Sequence, residues 1–180
     1  TVTVFVSDDE VPSVVAAADF TVALDASGAY NVSVGEAVAS SADNCAVASV
    51  TLDRTEFSCS DVGSSFTVTA TATDTSGNQA TDSVSVSVVD TTLPTVTSVG
   101  TFNVTLNATG LASVSVASLV SSSGDNCGVS VTADKTVFSC ADAGANVVTL
   151  TAVDPSGNNA TATVTVFVSD DEVPSVVAAA

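Results

Sequence analysis

Two kinds of side chain in this 180-residue sequence could do chemistry: four cysteines, and a set of Asp and Asn residues that recurs in step with them. Cys45 and Cys127 each close an Asp-Asn-Cys triplet, while Cys59 and Cys140 each close a Phe-Ser-Cys triplet. With no His in the chain and two thiols in each half, a tetrahedral zinc site cannot be filled. Disulfides joining Cys45 to Cys59 and Cys127 to Cys140 fit an exported domain poor in aromatic residues; reduced core thiols are the alternative. A bridge of this span contributes about 3 kcal/mol by the loop-closure account.

The acids offer a second chemistry. Asp8, Asp9 and Glu10 stand in a row, followed by Asp43-Asn44 and then by Asp74 and Asn78 around a Ser-Gly turn. The corresponding set further on is Asp90, Asp125-Asn126, and Asp154 with Asn158. Calcium takes six to eight oxygens from carboxylates, amides and carbonyls, and these residues supply them if their loops meet at one pole of a domain. The competing reading is local: Asp and Asn also cap turns by bonding their own backbone, and acidic surfaces keep long proteins soluble.

Composition limits what else the chain can do. Hydrophobic residues make up 46%, mostly Val and Ala, with 4% aromatic, which is strand material. Twenty Asp and Glu stand against two cations, Arg54 and Lys135, for a net charge of -18. That balance excludes a nucleic-acid partner and disfavours docking on anionic membranes. Without His or Trp, and with Tyr30 as the single tyrosine, the usual general bases and stacking platforms are missing, so an enzyme is not expected. No apolar run approaches the length of a membrane span, no secretory leader opens the chain, and the sequence reads as an internal piece of something longer.

The elements that must position these residues come in repeats. Residues 1–18 (TVTVFVSDDEVPSVVAAA) recur letter for letter at 163–180, an offset of 162. A weaker repeat lies inside that period: 41–63 matches 123–144, and 74–90 matches 154–170. The boundaries expected are the last strand of a preceding repeat at 1–10, one repeat at 11–92, a second at 93–172, and the start of a following one at 173–180. Alternation of apolar and polar residues predicts strands at 13–25, 29–34, 46–52, 55–59, 66–73 and 79–89. A reversal at 53–55 would set Cys45 opposite Cys59. Because a unit in an array leaves at the pole opposite the one it enters, a further pass is expected at 60–65. The fold class is all-β, with tandem immunoglobulin-like β-sandwich domains in an extended array. The strand at 1–6 has no unit of its own and must be covered, by a preceding unit of the same polypeptide in preference to donation into another chain.

FTVALDASG at 20–28, DNC at 43–45 and 125–127, TEFSC and TVFSC before the second cysteine of each repeat, and DTSGN or DPSGN before the last strand resemble a known family. They are similar to the tandem immunoglobulin-like repeats of giant bacterial cell-surface adhesins, in particular the gliding-motility and biofilm adhesins of Bacteroidetes, and to the hyalin repeat of extracellular adhesion proteins. Asn107 stands where the first repeat has Asp25. The resemblance implies export to the bacterial cell surface, a stalk or filament role and no catalysis, with neighbouring repeats and further filament strands as partners. A glycan- or protein-binding module is the alternative. It is weakened by the shortage of aromatic anchors. Arg54 and Lys135, each following an Asp, are expected to pair locally in an exposed turn.

Overall fold

Thr or Ser alternating with Val or Ala becomes paired strands with one face buried, because successive side chains of a strand point to opposite sides. The computed structural model describes residues 1–174, and the chain divides into two compact units, Thr1–Thr91 and Thr92–Ala180. The following repeat expected at 173–180 lies, from 175 onward, outside the described residues. Among the described residues no helix is long and apolar enough to cross a membrane.

The first unit begins with β1 (Ser13–Ala16), β2 (Phe20–Ala23), β3 (Ala29–Asn31), the single-turn helix α1 (Val34–Ala37) and β4 (Val38–Ala42). It continues with β5 (Val47–Leu52), β6 (Glu56–Ser58), a 3-10 turn at Cys59–Asp61, β7 (Ser65–Asp74) and β8 (Gln79–Val89). One layer is the four-stranded sheet β2-β8-β7-β5, and the other is made of the pairs β1-β4 and β3-β6. Val68, Ala70 and Ala72 of β7 and Val84, Val86 and Val88 of β8 are buried at every second position, together with Phe57, Val32 and Ala37 of the other layer. The unit is therefore an all-β sandwich with a core of small aliphatic residues around one fully buried phenylalanine.

The chain makes five passes between two poles. We call the pole of the β7-β8 turn proximal and the opposite pole distal. Residues 13–23 run to the distal pole, changing layers between β1, which pairs with β4, and β2, which lies parallel to β8. The Asp82 carboxylate accepts the Ala16 N–H at 2.7 Å and Asp19 Oδ1 accepts the Ser85 N–H at 2.9 Å, fixing this crossing against β8. Residues 29–42 return through β3, α1 and β4. Residues 47–58 go out again, β7 returns, and β8 leaves at the distal pole.

Residues 47–58 correct the reading from sequence. The chain does not reverse at 53–55. It changes layers there and keeps its direction: Asp53 Oδ1 accepts the Thr69 N–H at 2.8 Å, holding the end of β5 on β7, while the Thr55 carbonyl takes the Val32 N–H at 2.8 Å, placing β6 on β3. The extra pass expected at 60–65 is likewise absent. Those residues form the 3-10 turn and a loop whose Gly63 N–H bonds the Val88 carbonyl at 2.9 Å, at the distal pole. Five passes already give an odd number.

The cysteines follow the same correction. Cys45 precedes β5 at the proximal pole and Cys59 follows β6 at the distal pole, so one extended pass separates them, and a disulfide tolerates Cα atoms no more than about 7 Å apart. Cys45 and Cys140 are free, and Cys59 and Cys127 are disulfide-bonded. Neither Cys45–Cys59 nor Cys127–Cys140 is formed.

The second unit repeats the plan with β9 (Thr95–Ser98), β10 (Thr101–Thr105), β11 (Leu111–Ser113), α2 (Val116–Leu119), β12 (Val120–Gly124), β13 (Ser130–Ala133), β14 (Val137–Ser139), β15 (Gly144–Val153) and β16 (Asn159–Ser169). Its sheet β10-β16-β15-β13 faces the pairs β9-β12 and β11-β14. Phe138, Leu119, Leu150, Val148 and Val166 are fully buried between the layers. Here the layer change after β9 uses Gly100 at φ 81, with Ser98 Oγ donating to the Thr163 carbonyl at 2.6 Å. The hexapeptide at 163–168 lies within β16, whereas its copy at 1–6 is outside any strand, and Val2 and Phe5 are each 91% exposed.

Candidate functional site

The proximal pole of the first unit gathers the acids that the sequence singled out. The turn after β7 holds Asp74 by its own backbone: Asp74 Oδ1 accepts the N–H groups of Ser76 and Asn78, both at 2.8 Å, and Gly77 sits at φ 94, where a side chain would be strained. The loop between β4 and β5 holds Asp43 in the same way, its Oδ2 accepting the N–H groups of Cys45 at 2.9 Å and Ala46 at 3.0 Å. The linker at 8–10 is drawn in by amides. Asn78 Nδ2 donates to the carbonyls of Asp8 and Glu10, each at 3.0 Å, and to Asp74 Oδ2 at 2.7 Å. Asn44 Nδ2 donates to Asp8 Oδ1 at 3.3 Å and Glu10 Oε2 at 3.2 Å. Asp9 is exposed.

The result is a carboxylate cluster. Asp8, Asp43 and Asp74 each offer an oxygen, and the three oxygens lie within 4.8 Å of one another. Asp74 is 2% exposed. Burial pushes its carboxyl up, but the bonds from Asn78, Ser76 and Gly77 outweigh that and hold it below the usual carboxylate range. Asp8 Oδ2 and Asp43 Oδ1 are buried atoms with no hydrogen-bond partner. Turn capping accounts for the other oxygen of Asp43 and for both oxygens of Asp74; it leaves these two unexplained.

An all-oxygen donor set suits a hard cation, and three carboxylates giving one oxygen each supply at most half of the six to eight oxygens that calcium takes. Asn44 and Asn78, also candidates from the sequence, turn their amide N–H groups to the linker and act as clamps in this arrangement. The Asp8 carboxylate pushes the Cys45 thiol above its ordinary range.

In the second unit the same turn chemistry recurs. Asp154, 5% exposed, accepts the Asn158 N–H on Oδ1 and Asn158 Nδ2 on Oδ2, both at 2.8 Å. Asp125 Oδ2 accepts the Cys127 N–H at 2.8 Å, and its Oδ1 is buried without a hydrogen-bond partner. Asn126 adjoins it, half-buried. Asp90 follows β8 at the end of the first unit and is buried.

The two cations are more embedded than an exposed turn implies. The Arg54 guanidinium lies 4.5 Å from the Phe57 ring centre and 4.1 Å from that of Phe66, and Arg54 Nη2 pairs with Asp61 at 2.7 Å. Lys135 pairs with Asp142 and stands over Phe138 at 5.1 Å. A feature not read from the sequence lies beside Arg54. The Tyr30 hydroxyl donates to Glu36 Oε1 at 2.6 Å, and Glu36 Oε2 accepts the Ser33 N–H at 2.8 Å. Tyr30 and Ser33 together hold the Glu36 carboxyl down to about 2. Ser33-x-x-Glu36, the spacing of a helix capping box, was the available signal.

No family model matches the chain, and no curated protein matches it. Among solved structures it is similar to cadherin fragments. Extracellular cadherin domains 1–5 of protocadherin gamma B2 align at 14% identity with a TM-score of 0.42, over 93% of this chain and 42% of that one. Domains EC1-2 of human mucin-like protocadherin align at 15% identity with a TM-score of 0.41, over 88% and 98%. Domains EC1-4 of Drosophila N-cadherin align at 14% with a TM-score of 0.32, over 58% and 31%. The chain thus spans less than half the length of the first of these proteins.

Proposed function

We propose that this chain is a structural repeat segment of a long extracellular, cell-surface adhesin, non-enzymatic, in which calcium bound at the proximal poles stiffens the linkers. The observation that carries this reading is the cluster of Asp8, Asp43 and Asp74, with two buried oxygens that no hydrogen bond satisfies. It joins the incoming linker to the two loops of the same pole, so a cation there would hold the linker to its unit. Asp8, Asp43 and Asp74 would hold the ion in the first unit, and Asp125 and Asp154 occupy the corresponding positions in the second. The ion would neutralise carboxylates in a chain of net charge -18. The duplication at an offset of 162 supports an array in which identical links add length without new chemistry. The family resemblance of the repeats supports a bacterial surface, in adhesion or gliding. Negative-stain imaging of the native parent polypeptide tests the reading: a thin beaded filament is expected, straighter in calcium than in chelator, and a single globule overturns it.

One observation favours a second reading, a glycan-binding module. Tyr30, Arg54, Asp25, Glu56 and Asp61 line an open depression of about 630 Å³ on the first unit, mixing an aromatic ring with carboxylates and a guanidinium. Binding of the chain to a glycan array, abolished by Tyr30→Ala, would favour it.

A further inference from the structure

Asn31, Asn103, Asn107 and Asn159 each begin an Asn-x-Ser/Thr triplet, the acceptor pattern for N-linked glycans. The fold separates them. Asn31 ends β3 opposite Glu56, Asn103 lies in β10 opposite Phe167, and Asn159 opens β16 opposite Val153. In extended backbone the first and third residues of a triplet stand about 7 Å apart with their side chains parallel. Two of the hydroxyls are committed elsewhere: Ser33 Oγ donates to Glu36 Oε2 at 2.7 Å, and Thr105 Oγ1 shares a bond with Ser169 Oγ at 3.1 Å. Asn107 is different, because Asn107, Ala108 and Thr109 lie outside the strands, all exposed, in the turn between β10 and β11. Asn107 Oδ1 accepts the Thr109 N–H at 2.9 Å, the Thr109 hydroxyl at 2.6 Å and the Leu111 N–H at 3.2 Å. A backbone N–H can meet only the oxygen of the carboxamide, so the orientation of this side chain is fixed. Among the described residues no hydrogen bond engages its Nδ2.

We propose that Asn107 is the residue of this chain that carries an N-linked glycan, and that the other three triplets stay bare in the folded protein. The co-reactant is an oligosaccharide held on a polyprenyl diphosphate, brought by a transferase. Asn107 Nδ2 bonds to C1 of the first sugar, the bond from C1 to the diphosphate oxygen breaks, and the lipid diphosphate leaves with that electron pair. One Nδ2 proton passes to a base of the transferase. The bonds from Thr109 and Leu111 draw charge onto Oδ1 and make the Nδ2 protons easier to lose. The first unit holds a natural control. Asp25 stands where the second unit has Asn107, and its Oδ1 accepts the Ser27 N–H at 2.8 Å, the Ser27 hydroxyl at 2.6 Å and the Ala29 N–H at 3.2 Å. The turn is the same, but a carboxylate has no nitrogen to glycosylate. An array of this chain would then carry one glycan for every two units. The inference rests on the reading of the parent as an exported polypeptide, since such a glycan is added outside the cytosol.

The test incubates the folded 180-residue chain with a purified oligosaccharyltransferase and an oligosaccharide on polyprenyl diphosphate, then maps glycopeptides by mass spectrometry. Using folded chain lets the local geometry decide which triplet reacts. The expected product is the 17.5 kDa chain plus a single glycan, at Asn107. Asn107→Asp keeps the turn, as Asp25 shows in the first unit, and should abolish transfer. Asp25→Asn completes an Asn-x-Ser triplet on the matching turn and should add a second glycan there. No transfer to Asn107, transfer to Asn31, Asn103 or Asn159 at equal extent, or a bare turn in Asp25→Asn would each overturn the proposal. An exported, beaded parent filament whose Asn107 peptides are bare would overturn it while leaving the array reading intact.

Discussion

Replacing Asp8 by Asn is expected to stabilise the chain in chelator and to weaken it in calcium. An oxygen of Asp8 lies within 4.8 Å of one from Asp43. Two unit charges at that separation repel by about 0.9 kcal/mol at the dielectric of water and by about 3.5 kcal/mol at an effective dielectric of about 20. Asn keeps an oxygen acceptor at position 8 for the Asn44 amide and the Glu10 N–H, so the substitution removes charge with little loss of bonding. Since about 1 kcal/mol moves the midpoint of a domain of this size by roughly 4–8 °C, scanning calorimetry in chelator at low salt should show the first unit melting several degrees higher in Asp8→Asn. The gain should shrink in high salt, which screens partly exposed charges. With millimolar calcium the order reverses, because the variant has lost a ligand. A variant that melts lower than the parent in chelator, or that gains as much from calcium as the parent does, refutes the reasoning.

Four further substitutions probe the scaffold. Phe138→Ala empties a fully buried position and should cost about 3–5 kcal/mol, lowering the melting transition of the second unit in calorimetry and leaving that of the first in place. Gly110 sits at φ 70, and a Cβ there would lie 2.7 Å from the Cys140 sulfur, whereas Gly63 at φ 79 has open space. Gly110→Ala should therefore lower urea stability more than Gly63→Ala, which carries only the backbone strain of about 1–2 kcal/mol; equal losses would contradict the contact. Glu36, held at about 2 from an ordinary 4.5, contributes stability that is fully present above pH 4.5 and fades as the pH falls toward 2. Melting profiles against pH should show that loss in the parent and a flatter slope in Glu36→Gln, and parallel slopes would remove Glu36 from the account.

Much of the sandwich was legible in the sequence, because alternation fixes the faces of long strands. The runs at 66–73 and 79–89 became β7 (Ser65–Asp74) and β8 (Gln79–Val89) almost unchanged. Layer changes were not legible. Asp53, Arg54 and Thr55 have the composition of a hairpin turn, and only the tertiary bonds from Thr69 and to Val32 show that the chain continues in the same direction. The disulfide assignment failed with it, since it depended on a reversal at that point. The run 38–42 was passed over because its residues, Val-Ala-Ser-Ser-Ala, are too small to show a periodic pattern; they pair only because β1 lies beside them. TVTVFV gives the plainest case. The copy at 163–168 is a strand in the slot between β10 and β15, and the identical copy at 1–6 is exposed, so pairing partners and not local propensity decide its state. In the candidate site, Asp8, Asp43 and Asp74 were named from convergence alone. The clamping roles of Asn44 and Asn78 depend on which amide atom faces the linker, and sequence carries no trace of that.

The most direct measurement of the central claim is a crystal structure of the chain grown in calcium, with anomalous scattering recorded to identify the ion. The account predicts a calcium peak bonded to Asp8 Oδ2, Asp43 Oδ1 and Asp74 at the 2.3–2.6 Å of calcium–oxygen contacts. Ordered water at that point, with calcium present throughout the crystal and the three carboxylates unchanged, would contradict it.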